Sequence, residues 1–368
     1  MEVIDYKNSI ISISNSILKY FDLKPYHDSL KELDKILEKK KYQNVVLLLC
    51  DGMGSINLKN NLEKNTFLRK NHLKDITSVF PPTTTAATTS ILSGKTPSEH
   101  NWYGWDMYFK DKNETISLFL NKRKEDMEKP KLDVLNRKYM KYENIIDLIN
   151  KKTSYKSYYL SPFSKENICY NLNDVCSNII KLSIQEGKKF IYAYIENPDK
   201  LMHKYGLKLD FVKDEFNYIN EKIEELANKL ENTLIIVTAD HGLIDTKYIN
   251  LKKDIPDIFN MLERTTSIEA RACGIKLKDN ISHEEFEKLF NKYLKDNFTL
   301  LTTKEVLDLK LFGNKKSKYL IDTIGDYLIV ATGIYSINYD DNSPIFKANH
   351  AGFTNDELLV PLIIIDCK

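Results

Sequence analysis

Two apolar runs end in acids. The stretch NVVLLLCDGMG places Asp51 directly after a run of aliphatic residues, with Gly52 and Gly54 behind it, and TLIIVTADHG places Asp240, His241 and Gly242 in the same relation to a second run. In open α/β sheets ligands gather at the carboxyl ends of strands, and glycines there let the backbone turn sharply and approach an ion or a phosphate. Adjacent Asp and His offer an oxygen and an imidazole nitrogen, a donor pair suited to zinc or manganese. A third stretch, YIENPDKLMHKYG, spaces Asp199 and His203 four apart behind Pro198. Proline suits the first position of a helix, so both side chains fall on one helical face, where they can chelate a single ion. The loop KANHAGFTND adds His350 just ahead of another apolar run. His27, His72, His100 and His283 are not read as ligands. Each piece alone also fits an ordinary structural role as a cap, a turn or a dipole partner; their combination points to metal chemistry.

The stretch SVFPPTTTAATTSILSG puts three hydroxyls, Thr83, Thr84 and Thr85, at the mouth of an expected helix. Threonine is a good N-cap, which is the plain reading. A threonine hydroxyl barely ionises near neutral pH, so it attacks phosphorus only where a Lewis acid lowers its pKa or a base takes its proton. The unpaired N–H groups and positive dipole end of a helix starting there would favour phosphoryl oxygens.

The elements that must position these residues alternate. VVLLLC (45–50), SYYLS (157–161), FIYAYIE (190–196), TLIIVTAD (233–240), YLIVATG (327–333) and LLVPLIIID (358–366) read as strands, several apolar on both faces. Such runs belong in a parallel sheet covered by helices. Amphipathic stretches at 171–187 and 209–232 lie between them. The fold class expected is α/β, a doubly wound, mostly parallel sheet flanked by helices with an inserted smaller cap. The core is expected to span 1–254 and 326–368, with an excursion at about 101–140 that carries both tryptophans, and the cap to span 255–325. The aromatic segment NWYGWDMYF (101–109) could face a planar leaving group or fill a lid.

At 368 residues, 42% hydrophobic and 29% charged, the chain has enough apolar content for a large folded core. Its 54 basic and 52 acidic residues nearly cancel, so nothing in the charge calls for a nucleic acid or an anionic membrane as partner. No segment approaches the roughly 20 apolar residues of a membrane span, and the first residues lack a secretory pattern. Five scattered cysteines without C-x-x-C spacing read as reduced thiols, and the protein is expected to be cytoplasmic.

Taken together, Asp51 in DGMG, the threonine of FPPTTTAATTSILSG, NPDKLMH, TADHG and NHAG occur in the order seen in the alkaline phosphatase superfamily. The resemblance is closest to its type I phosphodiesterase and nucleotide pyrophosphatase branch, and it runs from residue 51 to 350. It implies a hydrolase of phosphoester or phosphoanhydride bonds with two divalent metal ions, usually zinc, although manganese and iron accept the same donors. By the same resemblance, Asp199, His203 and His350 would hold one ion and Asp51, Asp240 and His241 the other. Thr84 would be the nucleophile and meet the second ion, with Thr83 and Thr85 as the adjacent registers. A phosphothreonine would form and then be hydrolysed, the two ions roughly 4 Å apart. The expected substrate is a small-molecule phosphoester. The alternatives are a phosphomonoesterase or phosphonate hydrolase of the same superfamily and, in another class, a non-catalytic metal- or phospholigand-binding protein.

Overall fold

The computed structural model describes residues 4–131 and 142–368; part of the expected excursion, 132–140, lies outside the described residues. The first catalytic candidate follows the strand Asn44–Cys50, which is buried along its whole length. It pairs in parallel with Lys189–Ile195 on one side and Thr233–Thr238 on the other. Lys156–Leu160 extends this parallel group. Leu359–Cys367 closes the other side, antiparallel to both Thr233–Thr238 and His72–Thr77. The six-stranded order is therefore 72–77, 359–367, 233–238, 44–50, 189–195, 156–160. The central strands are apolar on both faces because helices cover both. Leu172–Ser183 turns Val175 and Ile179 inward, and Asp210–Ala227 does the same with Val212, Phe216, Ile219 and Ile223. Each such side chain contributes about 1.5–3 kcal/mol by leaving water. His72–Thr77 escapes a reading by pattern because it is a polar edge strand, only partly buried.

One strand assignment is corrected. YLIVATG was expected in the parallel core, yet Tyr327–Ala331 pairs antiparallel with Phe298–Thr302 and Ala272–Ile275. Its residues alternate between two separate apolar clusters, Leu328 and Val330 entering one and Tyr327, Ile329 and Ala331 the other. A strand covered on both faces carries the same hydrophobic pattern in either kind of sheet, so periodicity alone cannot choose between them.

The second sheet has seven strands in the order 298–302, 327–331, 272–275, 267–268, 106–109, 114–117, 122–123. The segment after residue 101 and the segment after 255, read from sequence as two separate excursions, thus share one antiparallel sheet, joined where Ile268 pairs with Asp106. That junction is tight: a side chain on Gly104 would meet the Ile268 Cγ2 and carbonyl oxygen at 2.8 Å.

Candidate active site

Asp51, Asp199 and Asp240 converge because their strands are neighbours that end together. Asp51 follows the 44–50 strand, Asp240 the adjacent 233–238 strand, and Asp199 opens the helix Asp199–Tyr205 just beyond the 189–195 strand. Pro198 caps this helix, and its first residue is Asp199. The Asp199 N–H donates to the Asp51 carbonyl at 3.0 Å. Gly52 makes that approach feasible. It has φ +71°, and a Cβ there would lie 2.8 Å from the Asp199 Cβ and 2.7 Å from Leu243 Cδ1. Its N–H donates to Asp240 Oδ1 at 3.1 Å, as does the His241 N–H.

The three histidines share one arrangement. His203 Nδ1 lies 2.8 Å from the Ala348 carbonyl, His350 Nδ1 3.2 Å from that of Pro82 and His241 Nδ1 3.3 Å from that of Gly242. A carbonyl can only accept, so Nδ1 carries the hydrogen and each Nε2 keeps a lone pair. His203 Nε2 is 3.3 Å from Asp199 Oδ1. His241 Nε2 is 3.5 Å from Asp51 Oδ1, 3.4 Å from Asp240 Oδ2 and 3.1 Å from Thr84 Oγ1. The rings of His241 and His350 stack at 3.8 Å between centroids, and His203 lies 5.0 Å from His350.

Two groups of donors lie close enough to surround an ion: Asp51, Asp240 and His241, and Asp199, His241 and His350. The first matches the set implied by the resemblance. In the second His241 stands where His203 was expected, although His203 remains beside Asp199. The donor set fits a cation on its own chemistry. Asp51 Oδ1, Asp199 Oδ1 and Asp240 Oδ2 are buried and have no hydrogen-bond partner, an arrangement that costs free energy unless a positive charge meets them. Burial, with the neighbouring charge of Asp240, raises the Asp51 and Asp199 carboxyls well above their usual range. Burial also lowers His241, lowers His350 strongly, and brings His203 down to about 4, so all three imidazoles are neutral donors at neutral pH.

The threonine run divides its hydroxyls. Thr83 is the N-cap residue and Thr84 the first residue of the helix Thr84–Ser93, but no side-chain cap bond forms. The Thr84 hydroxyl faces His241, that of Thr83 donates to Glu269 Oε1 at 2.6 Å, and that of Thr85 is buried without a partner. Of the aromatic segment, Trp102 and Tyr103 are buried while Trp105 is partly exposed against Phe119. The remaining histidines are engaged elsewhere: His27 with Glu99, His72 with Asp75, His100 with Ser90 and His283 with Tyr327.

Sequence reasoning missed three supporting groups. The Tyr194 hydroxyl donates to Asp51 Oδ2. Asn57 bonds the Leu243 backbone on both sides, Nδ2 to its carbonyl at 3.0 Å and Oδ1 from its N–H at 3.0 Å. Glu357 accepts the Gly242 N–H through its carbonyl at 2.9 Å and the Gly352 N–H through Oε1 at 2.7 Å, so it braces the backbone beside both His241 and His350. None of them carries a local signal, since each acts across the fold.

A family model described as type I phosphodiesterase/nucleotide pyrophosphatase matches residues 45–354. Murine ectonucleotide pyrophosphatase/phosphodiesterase 5 has a similar fold, with 18% identity over 87% of each chain and a TM-score of 0.66. Its human counterpart gives 17%, 88% of each chain and 0.67. An inactive threonine-to-alanine variant of the murine protein, in complex with AMP, aligns with the same 18%, 87% and 0.66. No curated protein matches the chain.

Proposed function

Because the chain belongs to the type I phosphodiesterase/nucleotide pyrophosphatase family, we propose that this metal-dependent hydrolase cleaves phosphodiester or phosphoanhydride bonds through Thr84. The observation that carries the site assignment is the set of three buried, unpartnered carboxylate oxygens facing neutral imidazole lone pairs. We assign two divalent ions to it. Asp51, Asp240 and His241 would hold one, and Asp199, His203 and His350 the other, with His241 within reach of both. Zinc is the favoured ion, and manganese and iron suit the same donors. When bound, such ions lower the pKa of a neighbouring hydroxyl and neutralise charge on phosphoryl oxygens.

The protein's own groups do the rest. The hydroxyl of Thr84, aimed at the donor cluster, forms the new O–P bond as the ester or anhydride oxygen leaves. Water then breaks the phosphothreonine bond and regenerates the hydroxyl. Backbone N–H groups in the first turn of Thr84–Ser93 have no partner within the helix and can bind the non-bridging phosphoryl oxygens. The substrate is a small phosphoester; a nucleotide is supported by AMP bound to the murine relative, whose threonine-to-alanine variant is inactive. Five unpaired cysteines support a reducing, cytoplasmic setting. No helix among the described residues is long and apolar enough to cross a membrane.

The test compares wild type with Thr84→Ala on a bis-aryl phosphodiester and an aryl phosphomonoester, with zinc or manganese supplied. Metal-dependent diester turnover that collapses in the variant is expected. Turnover untouched by the substitution refutes Thr84 as nucleophile, and no turnover of any phosphoester leaves only the binding role.

A further inference from the structure

Glu269 reaches the mouth of the Thr84 helix from the second sheet. It sits in the turn between Ser267–Ile268 and Ala272–Ile275. One oxygen, Oε1, accepts from the Thr83 hydroxyl at 2.6 Å and from the Trp105 N–H at 2.8 Å. Oε2 has no hydrogen bond among the described residues. The carboxyl lies near enough to Asp199 for its charge to raise that acid. The placement is built rather than incidental. Ile268, just before it, is fully buried yet has φ +71°, a conformation that is a genuine outlier for a β-branched residue and persists only where the surroundings enforce it. Gly104 lets the Trp105 strand close onto that turn. Thr83 gives up its usual capping bond to meet the carboxyl.

Resting on the phosphodiesterase reading above, we propose that Glu269 is a specificity-determining residue: its carboxylate faces the phosphoryl site and discriminates against phosphate dianions, so that monoanionic diesters bind in preference to monoesters. A diester carries one negative charge where a monoester at pH 8 carries two, and like charges brought together in a partly buried site repel. The groups facing Glu269 are the Thr83 hydroxyl, the Trp105 N–H, Asp106, Lys124 and Asp199. Lys124 favours the ionised form of Glu269, but its direct partner is Asp106 at 2.9 Å, which shares its charge, so it offsets only part of the charge of Glu269. Burial pushes this carboxyl up to about 7, and it is mostly ionised at pH 8.

The experiment measures binding without turnover. Thr84→Ala and Thr84→Ala/Glu269→Gln are titrated calorimetrically at pH 8, zinc supplied, with AMP and with the 5′-methyl phosphodiester of adenosine. Glutamine keeps the acceptor for Thr83 and Trp105 and removes only the charge. The expected result is AMP binding tightened by about tenfold or more with the methyl ester unchanged; Glu269→Ala must shift the AMP-to-ester ratio in the same direction. Equal changes for both ligands, no change for either, or no binding to any of these proteins overturns the proposal. Failure of the Thr84 nucleophile would show separately, as diester turnover that survives Thr84→Ala with Glu269 intact.

Discussion

Glu357→Gln should destabilise the protein and loosen its metal site together. Glu357 and Arg271 are both completely buried. Arg271 donates to the carboxylate through Nε at 2.7 Å and Nη2 at 2.8 Å. It also donates through Nη1 to the Tyr335 carbonyl at 2.8 Å and through Nη2 to that of Gly333 at 2.9 Å. Glu357 accepts in addition from Gly352 N–H and from the Thr354 hydroxyl, each at 2.7 Å. Glutamine would leave the guanidinium charge uncompensated and set an amide N–H₂ against Arg271 and, with it, either the Gly352 N–H or the Thr354 hydroxyl. Breaking a buried pair in this way costs about 3–5 kcal/mol. With an unfolding entropy of about 2.1 cal/mol/K per residue, that corresponds to a Tm lower by about 4–6.5 °C in a chain of 368 residues. Because the Glu357 carboxylate braces Gly352, two residues beyond His350, metal affinity should fall by about 10-fold or more, as on losing an outer-shell partner. Calorimetric melting and a zinc titration against a chromophoric chelator read the two effects. Stability within about 1 kcal/mol of wild type, or undiminished metal affinity, would refute this account of the pair.

Removing the metal with a chelator should lower Tm, by the loss of about 2.7 kcal/mol where free ion stood at 100 times its dissociation constant, and by more at pH 8 than at pH 6. Asp51 and Asp199 have folded pKa values raised by burial and by Asp240. Their contribution to the metal-free fold is present below the ordinary carboxylate pKa and lost as pH rises through the raised values, while ion binding gains as the same groups deprotonate. Melting curves with and without chelator that keep a constant separation, or draw together on raising pH, contradict this. Gly52→Ala combines a left-handed φ of +71° with a Cβ only 2.7 Å from Leu243 Cδ1. It should cost about 2 kcal/mol or more and separate Asp51 from Asp199, read as a reduced metal-to-protein ratio by elemental analysis. Full metal content in a stably folded Gly52→Ala protein would count against the tight approach.

The candidate donors and the parallel strands that carry them were legible in the residue pattern. Asp51 and Asp240 could be found because each terminates an uninterrupted apolar run, and Asp199 with His203 because helical spacing is local. The membership of Tyr327–Ala331 in the second sheet was not legible, since burial on both faces leaves one hydrophobic signature for two topologies. How the histidines are shared is set across the fold, which brings His241 within reach of both donor groups. The tertiary structure alone aimed Thr84 rather than Thr83 or Thr85 at His241, and it alone brought Tyr194, Glu269, Arg271 and Glu357 to bear on the site. The physical reason is range. Strand ends and helical repeats are written in neighbouring residues, whereas the tautomer of an imidazole, the partner of a hydroxyl and the charge facing a phosphate are set by groups as far apart in the chain as Thr83 and Glu269.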